Sequence, residues 1–297
     1  MTTEHAPARQ KSTAFWLTVI AGLLALVALV LTVLPGPFYR MKVLSLGMAF
    51  QSITDGAYAG ILALVFGVIS AGVAFFSHRS RLAMASLVFT IGGILTFGVP
   101  YYWLQKAEAV PPIHDITTDF THPPAFTALL PRLSHLPNTP IYGGGHARSR
   151  KIEQEAVTGF ATRGRGRRNP HAARVVRNCK HWSPRCLATV QSVYYPAIHP
   201  LIVKGMKPAE VYAATLDVVR HRGWKVAFAS PGTGRIEAVA RTGWFGFKDD
   251  VALRIQAVST GTRVDMRSES RIGLSDIGRN AERVQRFLHT LKTRLHG

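Results

Sequence analysis

Three stretches of this chain, residues 14–34 (AFWLTVIAGLLALVALVLTVL), 57–76 (AYAGILALVFGVISAGVAFF) and 82–104 (LAMASLVFTIGGILTFGVPYYWL), each run for 20 or more positions without a charged side chain. At a helical rise of about 1.5 Å per residue, each can cross a hydrocarbon core roughly 30 Å thick, and a buried helix of a water-soluble protein seldom needs so long an uncharged run. The pattern predicts a three-helix membrane anchor over residues 14–104. Arg9 and Lys11 precede the first run as a leader's basic region would. That run exceeds the roughly 7–15 apolar residues of a cleaved leader, however, and Leu31–Pro37 offers no small-x-small cleavage site.

Four Lys and Arg (Arg9, Lys11, Arg79, Arg81) fall on one side of such an anchor and three (Arg40, Lys42, Lys106) on the other. Basic loops stay cytoplasmic, so this small bias predicts a cytoplasmic tail over residues 1–13 and an anchor in the inner membrane. Everything after Tyr101 and Trp103 then lies on the far side. The runs hold no Asp, Glu, Lys, Arg or His, which leaves a proton relay or ion path without an ionisable group. Ala59, Ala63, Gly67 and Ala71 recur every four residues and let another helix approach closely. Packing within the anchor is the favoured use of that stripe, and a helix–helix homo-oligomer is the alternative.

The anchor accounts for much of the 47% apolar content, whereas the formal charge of +20 points elsewhere. Residues 1–145 contribute a net +3, residues 146–190 a net +9, and residues 191–297 a net +8. The middle stretch, which includes RGRGRR at 163–168 and both cysteines, lacks apolar periodicity and reads as a basic, disordered insertion, native or from a shifted reading frame. Phosphate contacts to nucleic acid are disfavoured for an exported segment, and anionic lipid remains a possible partner. Cys179 and Cys186, with His171 and His181, match no standard zinc spacing; a disulfide is at least as good a reading in an oxidising compartment.

Residues 105–145 include Pro111, Pro112, Pro123 and Pro124 and predict an extended connector. From 191 to 297 the periodicity is that of a folded domain. A strand is expected at Ile198–Val203 and a helix from Pro208 to near Gly223. Strands follow, the first at Trp224–Ala229 before a PGTG turn at 231–234, then three in which Ile236, Ala238 and Ala240, then Val251, Leu253 and Ile255, then Val264 and Met266, occupy alternate positions. A last helix is expected from Asp276 to Leu295, with Ser275 as its N-cap. The order β-α-β-β-β-β-α predicts an α+β two-layer sandwich with an antiparallel sheet, helices on one face, and the other face solvated, partnered or against the membrane.

Three motifs in order, PPIHDITTD at 111–119, WFGFKDD at 244–250 and RVDMRSESRIGLSDIGRN at 263–280, closely resemble the domain of unknown function 1499 family. The resemblance covers residues 110 to about 140 and 191–295. It implies a bacterial membrane-associated protein with an extracytoplasmic domain and carries no established activity. The candidate ligand-binding residues are Trp244, Phe247, Lys248, Asp249, Asp250, Arg267, Ser270, Arg271 and Asp276, with His114 and Asp115 from the connector. As a pocket for an anionic lipid or metabolite, Arg271 and Ser270 would work beside a helix N-terminus. The favoured reading instead pairs Asp249 or Asp250 with Arg271, lets the aromatics plug the sheet edge and leaves Ser275 to cap the helix. No G-x-S-x-G, Walker or H-E-x-x-H motif is present, and no cofactor or metal is expected. The sequence therefore points to a binding or structural role at the cell envelope; the alternative is a hydrolase-like envelope enzyme using His114, or Asp249 and Asp250 with Arg271, on an anionic small molecule or lipid.

Overall fold

In the computed structural model, which describes residues 12–133, 136–138, 141–142, 174–176, 178–179 and 183–296, the apolar runs become helices α1 (Thr13–Val33), α3 (Leu46–Phe76) and α4 (Ser80–Ala109). A short helix α2 (Pro35–Arg40) extends the first. Serines at the starts of α1 and α3 act as N-caps: Ser12 Oγ accepts from Phe15 N–H at 3.4 Å and Ser45 Oγ from Met48 N–H at 3.2 Å. The third helix of this set starts where expected, but α3 begins eleven residues before the charge-free run. Helix formation tolerates Gln51 and Asp55, whose side chains bond each other at 2.9 Å one turn apart.

All three helices are long and apolar enough to cross a membrane. Their large side chains, Leu23, Val68 and Val88 among them, are exposed, while the buried positions are Ala, Gly, Ser and Thr. That is the arrangement lipid favours, because small residues let helices approach while large ones face the acyl chains. The buried stripe of α3 runs Gly56, Gly60, Ala63, Gly67, Ser70 and Ala74, turned slightly from the expected row. It packs within the chain: a Cβ at Gly60 would stand 2.5 Å from Thr96 Oγ1, and one at Gly93 would stand 2.6 Å from Gly60 O. One hydroxyl from each helix, Thr18, Ser70 and Ser86, closes a buried cluster at 2.8–3.1 Å.

The chain divides into two compact units, Met1–Gln105 and Lys106–Gly297. The second contains β1 (Asp115–Thr117), α5 (Leu130–Leu133), α6 (Pro184–Tyr194), β2 (Leu201–Lys204), α7 (Pro208–His221), β3 (Lys225–Ser230), β4 (Arg235–Arg241), β5 (Lys248–Val258), β6 (Gly261–Ser270) and α8 (Arg279–His296). From β2 onward this is the expected β-α-β-β-β-β-α order, and the sheet is antiparallel throughout. Strands run β1-β6-β5-β4-β3, with β2 following β1 along the outer edge of β6. Helices α7 and α8 cover one face, where Val218, Val219, Val284, Phe287 and Leu291 meet Ile236, Leu253, Val264 and Met266. Trp224 stacks on Phe287 with ring centres 5.4 Å apart.

Four local features differ from expectation. The second strand starts at Leu201, because Ile198 N–H turns back to Tyr195 O at 3.1 Å. The last helix starts at Arg279, because Ile277 (φ 57°) and Gly278 (φ 76°) occupy the left-handed region and cannot begin a right-handed helix. Asp276, not Ser275, bonds N–H groups at that turn's end, while Ser275 Oγ accepts from Ile277 N–H. Within the Pro-rich connector, Asp115–Thr117 pairs as β1.

The described end of the basic stretch lies inside the domain. Val176, Cys179, Leu187 and Val190 are buried in the main core, and Cys179 and Cys186 form a disulfide with Cα atoms 5.7 Å apart. With both thiols so joined, they are not a zinc pair; His171 and His181 lie outside the described residues. Helix α6 presents Gln191, whose side chain accepts from Thr117 N–H at 3.0 Å and donates to Thr117 O at 2.7 Å. It thus satisfies the free edge of β1 as another strand would. Residues 143–173, with RGRGRR, lie outside the described residues.

Candidate functional site

Strand alternation divides the polar residues of the sheet between its two faces. On the face away from the helices, β6 presents Arg263, Asp265, Arg267 and Glu269 at alternate positions, and Arg271 follows. Cross-strand register sets Asp115 and Asp250 beside Glu269, one on each side. Arg267 lies between carboxylates: Nε donates to Asp115 Oδ1 at 2.9 Å, and Nη2 donates to Asp115 Oδ2 at 2.8 Å and Glu269 Oε2 at 2.9 Å. Its side chain is 2% exposed. Phe126 and Tyr142 place their rings 4.8 and 5.6 Å from its guanidinium carbon, the distance of a cation–π contact.

The sequence leaves this face solvated, partnered or against the membrane; over Ala252 and Arg267 it is instead covered by the chain's own connector, while Arg241 and Lys248 at its end stay exposed. The described residues 118–133, 136–138 and 141–142 of the connector fold across it as a strap, with Phe126 and Leu129 packed on Ala252. Three polar clasps hold the strap. Glu237 Oε1 accepts from Thr127 N–H, Thr127 Oγ1 and Ala128 N–H at 2.8–3.2 Å, while its Oε2 accepts from Leu129 N–H at 3.0 Å. Asp119 accepts from Arg254 and Arg263 at 2.9 and 3.0 Å. Asn138 Nδ2 donates to Ser270 O at 2.6 Å and Gly273 O at 3.0 Å.

Burial of so many carboxylates moves their protonation. Burial first, then the charge of Asp115, pushes the Glu269 carboxyl well above the usual range, with Arg267 opposing. Burial likewise raises Asp250, against the hydrogen bonds from Arg271. Asp119 goes the other way: burial disfavours its charge, but the N–H groups of His122 and Thr121 and the guanidinium of Arg254 outweigh it.

The helix-side face carries a second polar cluster. Asp249 pairs with Arg283, which also donates to Ser268 Oγ at 2.9 Å. Asn280 accepts from Ser268 Oγ at 2.8 Å and donates to Ser270 Oγ at 2.9 Å and His114 O at 2.8 Å. Asp276 accepts from Gly278 N–H at 2.8 Å and Asn280 N–H at 2.7 Å, and burial raises its pKa to about 6 in spite of those bonds.

That value has a testable sign. The folded protein holds the Asp276 proton more tightly than the unfolded chain, so this group's contribution is full below pH 4 and is lost as pH rises to 6. A carboxyl lifted from its ordinary value to about 6 corresponds to about 3 kcal/mol. For Asp276→Asn, the stability difference from the parent, read from urea unfolding of the full chain in detergent, should move in the variant's favour by about that amount between pH 4 and 7. A pH-independent difference would refute this assignment.

The candidate residues are therefore separated. Asp249 and Asp250, adjacent in sequence, point to opposite faces; Asp250 takes Arg271 in a two-bond ion pair at 2.8 and 2.9 Å. Asp115 and Arg267 join each other under the strap, while Ser270 and Asp276 serve the start of α8. His114 is buried, and its carbonyl receives Ser270 N–H at 2.9 Å. Trp244, Phe247 and Lys248 lie at the β4–β5 turn, with Trp244 and Lys248 exposed. Sequence reasoning missed Glu237, Glu269, Asn280 and Arg283. One signal was available: Arg263, Asp265, Arg267, Glu269 and Arg271 alternate in sign at every second position, the mark of one strand face built as an ion-pair row. Among the described residues no group of three or more His, Cys, Asp or Glu side chains could hold a metal ion.

A family model described as "Protein of unknown function (DUF1499)" matches residues 115–291. No curated protein and no solved structure matches the chain.

Proposed function

The chain belongs to the DUF1499 family, and on that premise we propose that it is an integral membrane protein whose α+β domain lies outside the cytoplasm and serves a binding or structural role at the cell envelope. The observation that carries the role is that Asp115, Asp249, Asp250, Arg267, Arg271 and Asp276 are all committed to partners inside the domain. Groups so engaged position strands, strap and helix; a reaction centre needs groups able to reach a substrate. The side of the membrane is supported by the distribution of Lys and Arg around the helices and by the Cys179–Cys186 disulfide, a bond that persists in oxidising compartments.

Two measurements test this reading. A reporter active only outside the cytoplasm, fused after Gly297, is expected to be active; activity confined to a cytoplasm-specific reporter overturns the location. Arg271→Ala should cost roughly 3–5 kcal/mol, because it strands the buried Asp250 carboxyl, Asp250→Ala should cost less, because Arg271 is partly exposed, and the exchanged double variant should recover part of the loss. Single variants that keep full stability would free the pair for a ligand and bring forward the anionic-pocket enzyme instead.

A further inference from the structure

The β4–β5 turn has a use that the buried ion pairs do not explain. Thr242 N–H donates to Phe247 O at 2.9 Å and Phe247 N–H donates to Thr242 Oγ1 at 2.9 Å, closing the loop between them. Gly246, at φ 70°, supplies the left-handed residue this closure requires. Inside the loop, Phe245 is buried and stacks on Phe247 with ring centres 4.9 Å apart, and Trp244 meets its edge at 4.9 Å. This platform carries an indole that is 44% exposed. Among the described residues from 106 onward, the exposed large hydrophobic side chains are Leu130, Ile141, Ile202 and Trp244, so Trp244 is the one aromatic. Arg241 and Lys248 face each other in register at the base of the loop, and both are exposed.

The place of this loop in the sheet matters as much as its composition. The pairs Asp115↔Glu269, Asp249↔Ser270 and Arg241↔Lys248 put the loop at the end of the sheet where β1 begins. The chain arrives there directly from α4, whose last residue, Ala109, precedes Asp115 by residues 110–114 alone. Fully extended, that tether spans about 20 Å, and three strand spacings from β1 to β4 add about 15 Å. The loop is thus tied within a short reach of the end of an apolar helix.

We propose that the β4–β5 loop is a bilayer-surface anchor: Trp244 enters the headgroup layer of the membrane that holds the chain, and Arg241 and Lys248 meet anionic headgroups on either side. An indole suits that layer because its body is apolar and its N–H bonds water or headgroup oxygen, and flanking cations add attraction to an anionic surface. The anchor goes beyond the role proposed above and works on either side of the membrane. Its failure would leave the topology reading intact, and a reversed topology would leave the anchor intact.

The test uses the full chain reconstituted in vesicles of phosphatidylcholine alone or with phosphatidylglycerol, carrying a nitroxide at Gly243→Cys. A Cβ there meets nothing within 4 Å, so Trp244 is kept. Ile202→Cys, exposed to a similar 42% but toward the opposite end of the sheet, is the reference. In anionic vesicles the ratio of oxygen to nickel-chelate collisions should be severalfold higher at 243 than at 202. Adding Trp244→Ala should bring it down to the reference, with the label at 202 reporting an unchanged fold. Arg241→Ala with Lys248→Ala should reduce the ratio in anionic vesicles to that in neutral ones. Equal ratios at 243 and 202 in both vesicle types, insensitivity to Trp244→Ala, or a label at 243 shielded from both reagents, as by a protein partner, would each overturn the proposal.

Discussion

Replacing Arg267 with alanine is expected to be the most damaging single change in the domain. It removes three charge-assisted hydrogen bonds to Asp115 and Glu269 and the cation beneath the rings of Phe126 and Tyr142. Two carboxylates, each 5–6% exposed in side chain, then face each other without a counterion. Stranding buried charge in this way costs roughly 3–5 kcal/mol, a large part of the 5–15 kcal/mol that holds an ordinary domain folded. Denaturant unfolding followed by hydrogen exchange in β5 and β6 measures it. Arg267→Lys should retain only part of the stability, since an ammonium lacks the fork that spans Asp115. Adding Asp115→Asn to Arg267→Ala should recover part of the loss, because the remaining Glu269 carboxyl is already driven toward its neutral form. If Arg267→Ala leaves the unfolding midpoint in place, the row is not what holds this face together.

Glu237→Ala should be nearly as costly and differ in kind. One side chain, 1% exposed, accepts four bonds from Thr127, Ala128 and Leu129 and one from Arg235 at 2.8 Å. Removing it leaves several donors under the strap unsatisfied, at about 1–3 kcal/mol for each that water cannot reach. The expected total is about 3–4 kcal/mol, lost mainly from the strap. Backbone amides at 127–129 should exchange faster by orders of magnitude while those of α7 and α8, which pack on the other face, change little. Glu237→Gln keeps one acceptor but turns an N–H₂ toward donors, so it should fall nearer to alanine than to the parent. Equal acceleration across strap and helices would mean that the two layers unfold as one, and that Glu237 supports the whole domain.

These two residues show why part of the molecule was legible in the sequence and part was not. The helices announced themselves because an uncharged run of 20 residues is matched to its solvent locally, residue by residue. The strand order followed from Ile236, Ala238 and Ala240 or Val251, Leu253 and Ile255, whose alternation needs no knowledge of what they touch. Glu237 fell in the same alternation and looked like a surface residue. Its burial depends on Thr127, 110 positions away, just as that of Arg267 depends on Asp115, 152 positions away. The pairing of Asp250 with Arg271 was within reach because a short hairpin brings β5 beside β6. Which aspartate faced which layer was settled only by register.

What the sequence determined by itself was therefore the three long apolar helices and the order of elements from β2 onward, with the surroundings each one needs: an apolar medium for the first, one face on a core for the second. The tertiary structure decided the fate of the polar face. A connector rich in proline, with too little periodicity to declare a fold, lies over a row of alternating charges that resembled solvated surface and buries its middle three, Asp265, Arg267 and Glu269. The physical reason is that apolar patterning is a property of a segment, whereas burial of a charge is a property of whatever other segment arrives to cover and pair it.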